Sequence, residues 1–181
     1  MLTDMTVSGG GSFTPIGPDS DFTGTFDGFG HTLSNVVIDN SANTTTTGLF
    51  SIAGNGAVIK NITLQNPTVT GNNTALKSTG GLVGYAKAGS LIRNAFVVGG
   101  SVSSSGDYVG GLVGSNYGII RNSGSSATVQ GHDYVGGLAG VSRDAELNNV
   151  YAEGDVTGHD TVGGLVGGLW ATSGGSSTLA N

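Results

Sequence analysis

Cysteine is absent from this 181-residue chain, and charged residues make up only 10% of it. Without cysteine the chain forms neither disulfides nor thiolate metal sites. A net charge of −6 at pH 7 argues against nucleic acid and anionic membrane surfaces as partners, because both require a basic footprint. The chain has no apolar run of about 18 residues, the length of a membrane span. We therefore expect no nucleic-acid partner and no membrane insertion.

Glycine, by contrast, is abundant, with 35 residues. The glycines do not recur at every third position, which excludes collagen. Because 36% of the residues are apolar and the aliphatic ones recur at regular places, disorder is also disfavoured. A glycine-rich, weakly charged chain with regularly spaced aliphatic residues favours many short strands joined by tight turns.

Two landmarks recur in step along the chain. The first is a glycine-rich block with the pattern Gly-Gly-Leu-Val/Ala-Gly, at 80–84, 110–114, 136–140 and 163–167. The second is a triplet of an aliphatic residue, a spacer and an asparagine, whose asparagines are Asn35, Asn61, Asn94, Asn122, Asn149 and Asn181. Successive asparagines are 26 to 33 residues apart. A period of this length without helical patterning is typical of a solenoid with one repeat per turn.

The period predicts an all-β fold, a right-handed parallel β-helix of about six coils with three short strands in each. Alternation within a strand predicts that Ile120 and Asn122 point inward and Arg121 outward. The asparagines would then stack into a buried amide ladder, which satisfies their polar groups. We expect the helix to cover residues 22–181, and residues 1–21 to form an irregular cap or a partial coil.

The two ends of the chain suggest a piece of a longer protein. The first ten residues lack the basic and apolar regions of a secretory signal, and the last residue falls within a repeat unit. An open coil end exposes apolar side chains and unpaired strand edges. We therefore expect a truncated C-terminal end, and either a monomer or end-to-end stacking through the open coils.

The segment 108–123 resembles the GLUG-type repeat, which is named for its Gly-Leu-x-Gly core. Its sequence is Tyr-Val-Gly-Gly-Leu-Val-Gly-Ser-Asn-Tyr-Gly-Ile-Ile-Arg-Asn-Ser. The stretch 22–35 is similar to the segment that commonly precedes such arrays, so the resemblance covers 22–181. GLUG repeats occur in large bacterial surface and secreted proteins, including filamentous-haemagglutinin-like adhesins, autotransporter-like exoproteins and accessory regions of immunoglobulin A peptidases. The resemblance implies an extracellular or cell-surface location and supplies no catalytic residues.

Three acids, Asp107, Asp133 and Asp160, stand three residues before successive glycine blocks, and His132 and His159 precede the last two. Stacked coils would bring their carboxylates to about 5 Å, the separation of the acid pair in a retaining glycosidase. Several oxygen ligands also suit calcium. We interpret these aspartates as turn residues duplicated with the repeat. The sequence therefore predicts no catalytic residue and no cofactor, with calcium at the three acids as the alternative.

Four further residues are candidates for ligand binding. Lys60, Arg93 and Arg121 occupy the outward spacer position and could grip acidic glycans, or they are solvated side chains that deter sheet-edge pairing. Trp170, the only tryptophan, could stack on a sugar ring, or it packs within the last repeat.

The function that these observations favour is a non-catalytic structural or adhesive rod of a bacterial cell-surface or secreted adhesin. Host glycans or host surface proteins are the expected partners. Two alternatives remain open: a carbohydrate-active β-helix enzyme, either a polysaccharide lyase or a hydrolase, and an accessory repeat module of a secreted peptidase.

Overall fold

The computed structural model describes residues 4–7, 11–18, 20–42, 46–72 and 77–181. Every regular element in these residues is a β-strand. In chain order the strands are β1 Met5–Thr6, β2 Thr25–Ser34, β3 Val37–Asp39, β4 Phe50–Ala53, β5 Val58–Gln65, β6 Thr68–Thr70, β7 Thr79–Gly80, β8 Val83–Ala86, β9 Leu91–Val98, β10 Ser101–Ser103, β11 Val109–Gly110, β12 Val113–Asn116, β13 Ile119–Ser125, β14 Thr128–Gln130, β15 Asp133–Gly136, β16 Ala139–Arg143, β17 Glu146–Ala152, β18 Val156–Thr157, β19 Asp160–Gly163, β20 Val166–Trp170 and β21 Thr178–Ala180.

These strands pair in parallel between successive coils and form four sheets, which we number in the order that the chain visits them. Sheet 1 is β1-β2-β5-β9-β13-β17-β21, sheet 2 is β3-β6-β10-β14-β18, sheet 3 is β7-β11-β15-β19, and sheet 4 is β4-β8-β12-β16-β20. A coil begins at sheet 1, so β2 opens coil 1 and β21 opens coil 6. The predicted all-β parallel solenoid of about six coils is confirmed.

The expectation of three strands per coil is wrong, because the glycine block divides between two sheets. In coil 3, Val109 and Gly110 belong to sheet 3, whereas Val113 and the residues after it belong to sheet 4. The chain turns between them at Gly111, where an added Cβ would collide with the carbonyl oxygen of Gly137 in the next coil. A sharp corner with this close approach requires glycine.

The core consists of aliphatic columns that run along the solenoid axis. Ile92 pairs in register with Ile59 on one side and Ile120 on the other, and Ile120 pairs with Leu147. All four side chains are at most 1% exposed. Complete burial of such a side chain contributes about 1.5–3 kcal/mol. Side chains one repeat apart in sequence thus lie directly above one another in the dry interior.

The asparagines do not point into this core, contrary to the predicted alternation. Asn61, Asn94, Asn122 and Asn149 have φ between 48° and 55°, the left-handed conformation that asparagine tolerates better than most residues. The left-handed residue interrupts the inward–outward alternation of side chains along the strand. Arg121 and Asn122 are therefore both exposed. The four asparagines therefore mark a bend in the sheet 1 strands, and their side chains lie at the surface or half-buried.

At this bend the amides are hydrogen-bonded from coil to coil. Asn94 Nδ2 donates to Asn61 Oδ1 at 3.0 Å, and Asn149 Nδ2 donates to Asn122 Oδ1 at 2.9 Å. In coil 1 a carboxylate takes the amide's place, since Asn61 Nδ2 donates to Asp27 Oδ1 at 2.9 Å. These bonds align the bends of neighbouring coils.

The last asparagine takes a different partner. The Oδ1 atom of Asn181 accepts a hydrogen bond of 3.0 Å from the backbone N–H of Val150. Asn181 thus caps the backbone of the preceding coil. Leu179, two residues before it, is 47% exposed.

Asn35 lies outside the column, and its predicted place in the ladder is wrong. The register pairs Phe26 with Ile59 and Asp27 with Lys60, then shifts before His31. The chain advances four residues from Asp27 to His31, whereas the paired strand β5 advances only two, from Lys60 to Ile62. Because of this insertion, the backbone N–H of Asn35 donates to the carbonyl oxygen of Gln65 at 2.8 Å. In coil 1 the residues that lie opposite the triplet 59–61 of coil 2 are 26–28, and not 33–35.

The described part of the N-terminal segment lies against the first coils. Strand β1 pairs with the end of β2, Met5 with Leu33 and Thr6 with Ser34. Farther along, Ile16 forms a parallel bridge with Phe50 of sheet 4.

Candidate functional site

A groove of about 360 Å³ opens on the outer surface where sheets 3 and 4 meet. It is lined mainly by aromatic rings and hydroxyl groups, with one guanidinium group. The lining residues are Thr46, Ser78, Tyr85, Tyr108, Ser115, Tyr117, Val141, Arg143 and Trp170. Residues from coils 1 to 5 contribute, so the groove runs along the rod.

The groove exists because glycines let the two sheets approach closely. A Cβ on Gly114 of sheet 4 would lie 2.6 Å from the backbone nitrogen of Thr79 in sheet 3, and one on Gly140 would lie 2.6 Å from that of Val109. The surface is therefore concave at this corner. The last glycine of each repeat block occupies this position, so the repeat itself produces the groove.

On one wall Tyr108 lines the groove, and Tyr134 lies beside it in the next coil; both have an unusual backbone conformation. Tyr108 and Tyr134 have φ values of 58° and 52°, which is uncommon for a bulky residue and costs of order 1–3 kcal/mol. Their rings stack with centroids 5.2 Å apart at 18°. The ring of Trp170 meets that of Tyr134 edge-on at 5.5 Å. The three rings form a continuous aromatic surface.

The other wall is the column of sheet 4 that pairs Tyr85 with Ser115 and Ser115 with Val141. The ring of Tyr85 contacts that of Tyr117 edge-on at 5.3 Å and 87°. Desolvation by burial raises the pKa of Tyr85 and of Tyr108 above the ordinary value for tyrosine. Both hydroxyls therefore stay protonated at neutral pH and can donate hydrogen bonds.

The polar groups of the groove include one donor without a partner. Ser78 Oγ and Ser115 Oγ lie 2.7 Å apart and share a hydrogen bond. The Nε atom of Arg143 is buried and makes no hydrogen bond, and the Oδ2 atom of Asp144 lies 4.0 Å from it, too far for one. Most buried polar groups are paired, so an unpaired one requires an explanation. The Arg143 side chain as a whole is 38% exposed, so the accessible part of its guanidinium group can bind a ligand oxygen.

The structure places the predicted candidates in three different regions. Trp170 lies in the groove. Lys60, Arg93 and Arg121 form one column on sheet 1, away from it. Two of these cations already have acidic partners: Lys60 Nζ lies 2.9 Å from Asp27 Oδ2, and Arg121 makes two 3.0 Å hydrogen bonds to Glu146.

The predicted acid column lies at the turn before sheet 3, with histidines inserted between its members. Asp133 pairs in register with Asp160. His132 Nδ1 lies 3.4 Å from Asp107 Oδ1 and 3.1 Å from Asp133 Oδ1. Asp107 and Asp133 therefore both contact the imidazole of His132, a contact that the sequence analysis did not predict.

The sequence analysis missed most of the groove. Tyr108 and Tyr134 hold the same place in successive repeats, directly after the aspartate, so an alignment of the repeats would have paired them. Tyr85, Tyr117 and Arg143 have no such signal. They meet the others only because the chain turns a corner.

The comparisons with known proteins bear on the repeat. The family model described as "The GLUG motif" matches residues 105–130. The chain is also 36% identical to halomucin from Haloquadratum walsbyi over 148 residues, which are 80% of this chain and 1% of that protein's length. No solved structure matches the chain. Within the described residues, no helix has the length and hydrophobicity needed to cross a membrane. The chain thus contains a GLUG motif and is similar to a short stretch of a far longer protein.

Proposed function

We propose that the chain is a non-catalytic, adhesive rod segment of an extracellular or cell-surface protein, and that its groove binds saccharide chains. The stacked coils give the segment length and rigidity, and the groove contacts the saccharide. The observation that carries the binding role is the groove itself, which is lined by four aromatic side chains and one guanidinium group.

The stacked coils support the structural role. Parallel pairing is continuous from β1 to β21, and strands in a sheet are about 4.8 Å apart. Six coils therefore extend about 30 Å along the axis. Similarity to halomucin over 80% of this chain supports an exterior setting, as does the GLUG motif. The filamentous-haemagglutinin-like assignment stays a finer proposal that neither match tests.

The chemistry of the groove supports a saccharide ligand. Aromatic rings present apolar faces that pack against the C–H faces of a pyranose, and tyrosine and serine hydroxyls hydrogen-bond to its hydroxyls. Arg143 favours an acidic sugar, because a guanidinium group binds a carboxylate strongly. An elongated groove fits several linked sugars better than one.

A glycan array followed by calorimetry tests this function. The full chain should bind acidic oligosaccharides, and Tyr117→Ala or Trp170→Ala should weaken that binding about tenfold or more, as truncated aromatic anchors do. The matched control is Tyr151→Ala, because Tyr151 is 40% exposed and stacks on Phe96 outside the groove. It should bind as the wild type does.

Two results would contradict the proposal. If no glycan binds, the segment is a spacer without an adhesive role. If the bound oligosaccharide is cleaved during incubation, and Asp133→Asn abolishes the cleavage, the chain is a carbohydrate-active enzyme.

A further inference from the structure

We propose that His132, His159 and Asp133 form a binding site for a divalent transition-metal ion such as zinc, with Asp107 as a fourth ligand. The site lies at the turn between sheets 2 and 3, apart from the groove. It does not depend on saccharide binding.

The repeat builds this site by placing equivalent residues of adjacent coils above one another. His132 and His159 precede Asp133 and Asp160, which are in register, and the backbone N–H of His159 donates to the carbonyl oxygen of His132 at 2.7 Å. The two imidazole rings stack with centroids 4.9 Å apart at only 7°. Their Nδ1 atoms consequently face the same carboxylate.

Two of the separations are close to those of tetrahedral coordination. Asp133 Oδ1 lies 3.1 Å from the Nδ1 atom of His132 and 3.5 Å from that of His159. All three ligand atoms fall within 4.8 Å of one another. Ligands bound to zinc at about 2.0–2.2 Å in a tetrahedron lie about 3.3–3.6 Å apart. Small rotations of the two imidazoles would therefore complete the geometry.

A second feature points to a cation at the same place. The Oδ1 atom of Asp133 is buried and accepts no hydrogen bond, although two imidazole nitrogens face it. An unprotonated imidazole nitrogen and a carboxylate oxygen are both metal ligands, and a positive charge beside a buried carboxylate oxygen offsets its lost hydration. A metal ion between the three side chains would neutralise it directly.

The three ligands that lie together are His132, Asp133 and His159, and the nearest candidate for the fourth position is in the preceding coil. Asp107 Oδ1 lies 3.4 Å from His132 Nδ1, another separation typical of neighbouring ligands. Asp107, His132 and His159 belong to coils 3, 4 and 5, so the ion would tie three consecutive coils together. Asp160 is turned away, because its Oδ1 accepts the backbone N–H of Thr161 at 2.8 Å.

The ligand chemistry selects a transition metal over calcium. Two imidazole nitrogens suit zinc, copper, nickel or cobalt, whereas calcium takes six to eight oxygen ligands. The proposed site shares Asp107 and Asp133 with the calcium alternative of the sequence analysis, and it has the two histidines in place of Asp160.

The test is metal titration of the full chain after treatment with a chelator. Calorimetry with Zn²⁺ should show about one equivalent bound, and Co²⁺ should give the intense visible absorption of a tetrahedral nitrogen and oxygen site. His132→Gln and His159→Gln should each weaken Zn²⁺ binding by about tenfold or more. Millimolar Ca²⁺ should not displace Zn²⁺.

The matched control is His31→Gln, since His31 is the remaining histidine and lies beside Asp4. It should bind Zn²⁺ as the wild type does, and circular dichroism should show that all variants are folded. Absence of Zn²⁺ binding would overturn the proposal. Equal binding by the wild type and both His132→Gln and His159→Gln would also overturn it, because the ion would then be held elsewhere.

Discussion

Asn94 donates a hydrogen bond of 3.0 Å to the side-chain oxygen of Asn61, across 33 residues of sequence and one coil of the solenoid. Both residues have a left-handed backbone. The amide therefore has two roles, one in the local bend and the other in the alignment of neighbouring coils. Substitutions at this position can separate them.

Asn94→Ala removes both roles, whereas Asn94→Gly removes only the hydrogen bond. We expect Asn94→Ala to lower the free energy of unfolding by about 2–3 kcal/mol, because a lost hydrogen bond costs about 1 kcal/mol and a left-handed alanine about 1–2 kcal/mol. Asn94→Gly should cost about half as much. Urea unfolding of the three proteins measures both differences. Equal losses in the two variants would show that the backbone conformation contributes little.

Ile92 and Leu179 occupy one aliphatic column, but only the first has a coil on each side. Ile92 is 1% exposed and Leu179 is 47% exposed. We expect Ile92→Ala to destabilise the fold by about 2–5 kcal/mol, since it leaves a cavity, and Leu179→Ala by less than about 1 kcal/mol. Chemical unfolding monitored by circular dichroism tests the pair. Similar costs would mean that the column is not a continuous core.

The columns were predictable because they repeat. Ile59, Ile92 and Ile120 stand at the same place in successive triplets, and stacking of one repeat on the next buries them all. Asn35 was assigned to the wrong register for the same reason. Residues 33–35 have the sequence of the triplet, but two extra residues between Asp27 and His31 move them out of register with the asparagine column of sheet 1.

The corners were not predictable from alternation. Period-two patterning shows which residues share a face, but it does not show where a strand leaves one sheet and joins the next. The left-handed backbone of Asn122 and the turn at Gly111 both depend on contacts with neighbouring coils. The groove follows from these corners, which is why Tyr85 and Tyr108 could not be brought together from the sequence.

Gly111 and Gly164 hold the same position of the repeat and differ in their surroundings. A Cβ on Gly111 would collide with the carbonyl oxygen of Gly137, whereas one on Gly164 would meet nothing within 4 Å. We expect Gly111→Ala to destabilise the fold by about 3 kcal/mol or more, through displaced backbone. Gly164→Ala should change the stability by less than about 1 kcal/mol. Thermal unfolding of both variants decides the matter, and a tolerated Gly111→Ala would contradict the close approach of the coils.

Asp27 links the first coil to the second through a charge that should contribute to acid stability. Hydrogen bonds from Lys60, from Asn61 and from the backbone of Phe29, in that order, lower its pKa from 3.8 to about 2. A carboxyl whose pKa is lower in the folded state stabilises the fold above its unfolded pKa and loses that contribution as the pH falls. The loss should therefore occur between pH 3.8 and about 2. We expect Asp27→Asn to flatten the pH dependence of the urea midpoint in this window. The cause of the lowered pKa is testable separately. Replacement of the ammonium group by Lys60→Met should raise the pKa of Asp27 toward 3.8, as NMR titration of the Asp27 carboxyl carbon would show. A pKa unmoved by Lys60→Met would show that the ammonium group is not the main cause.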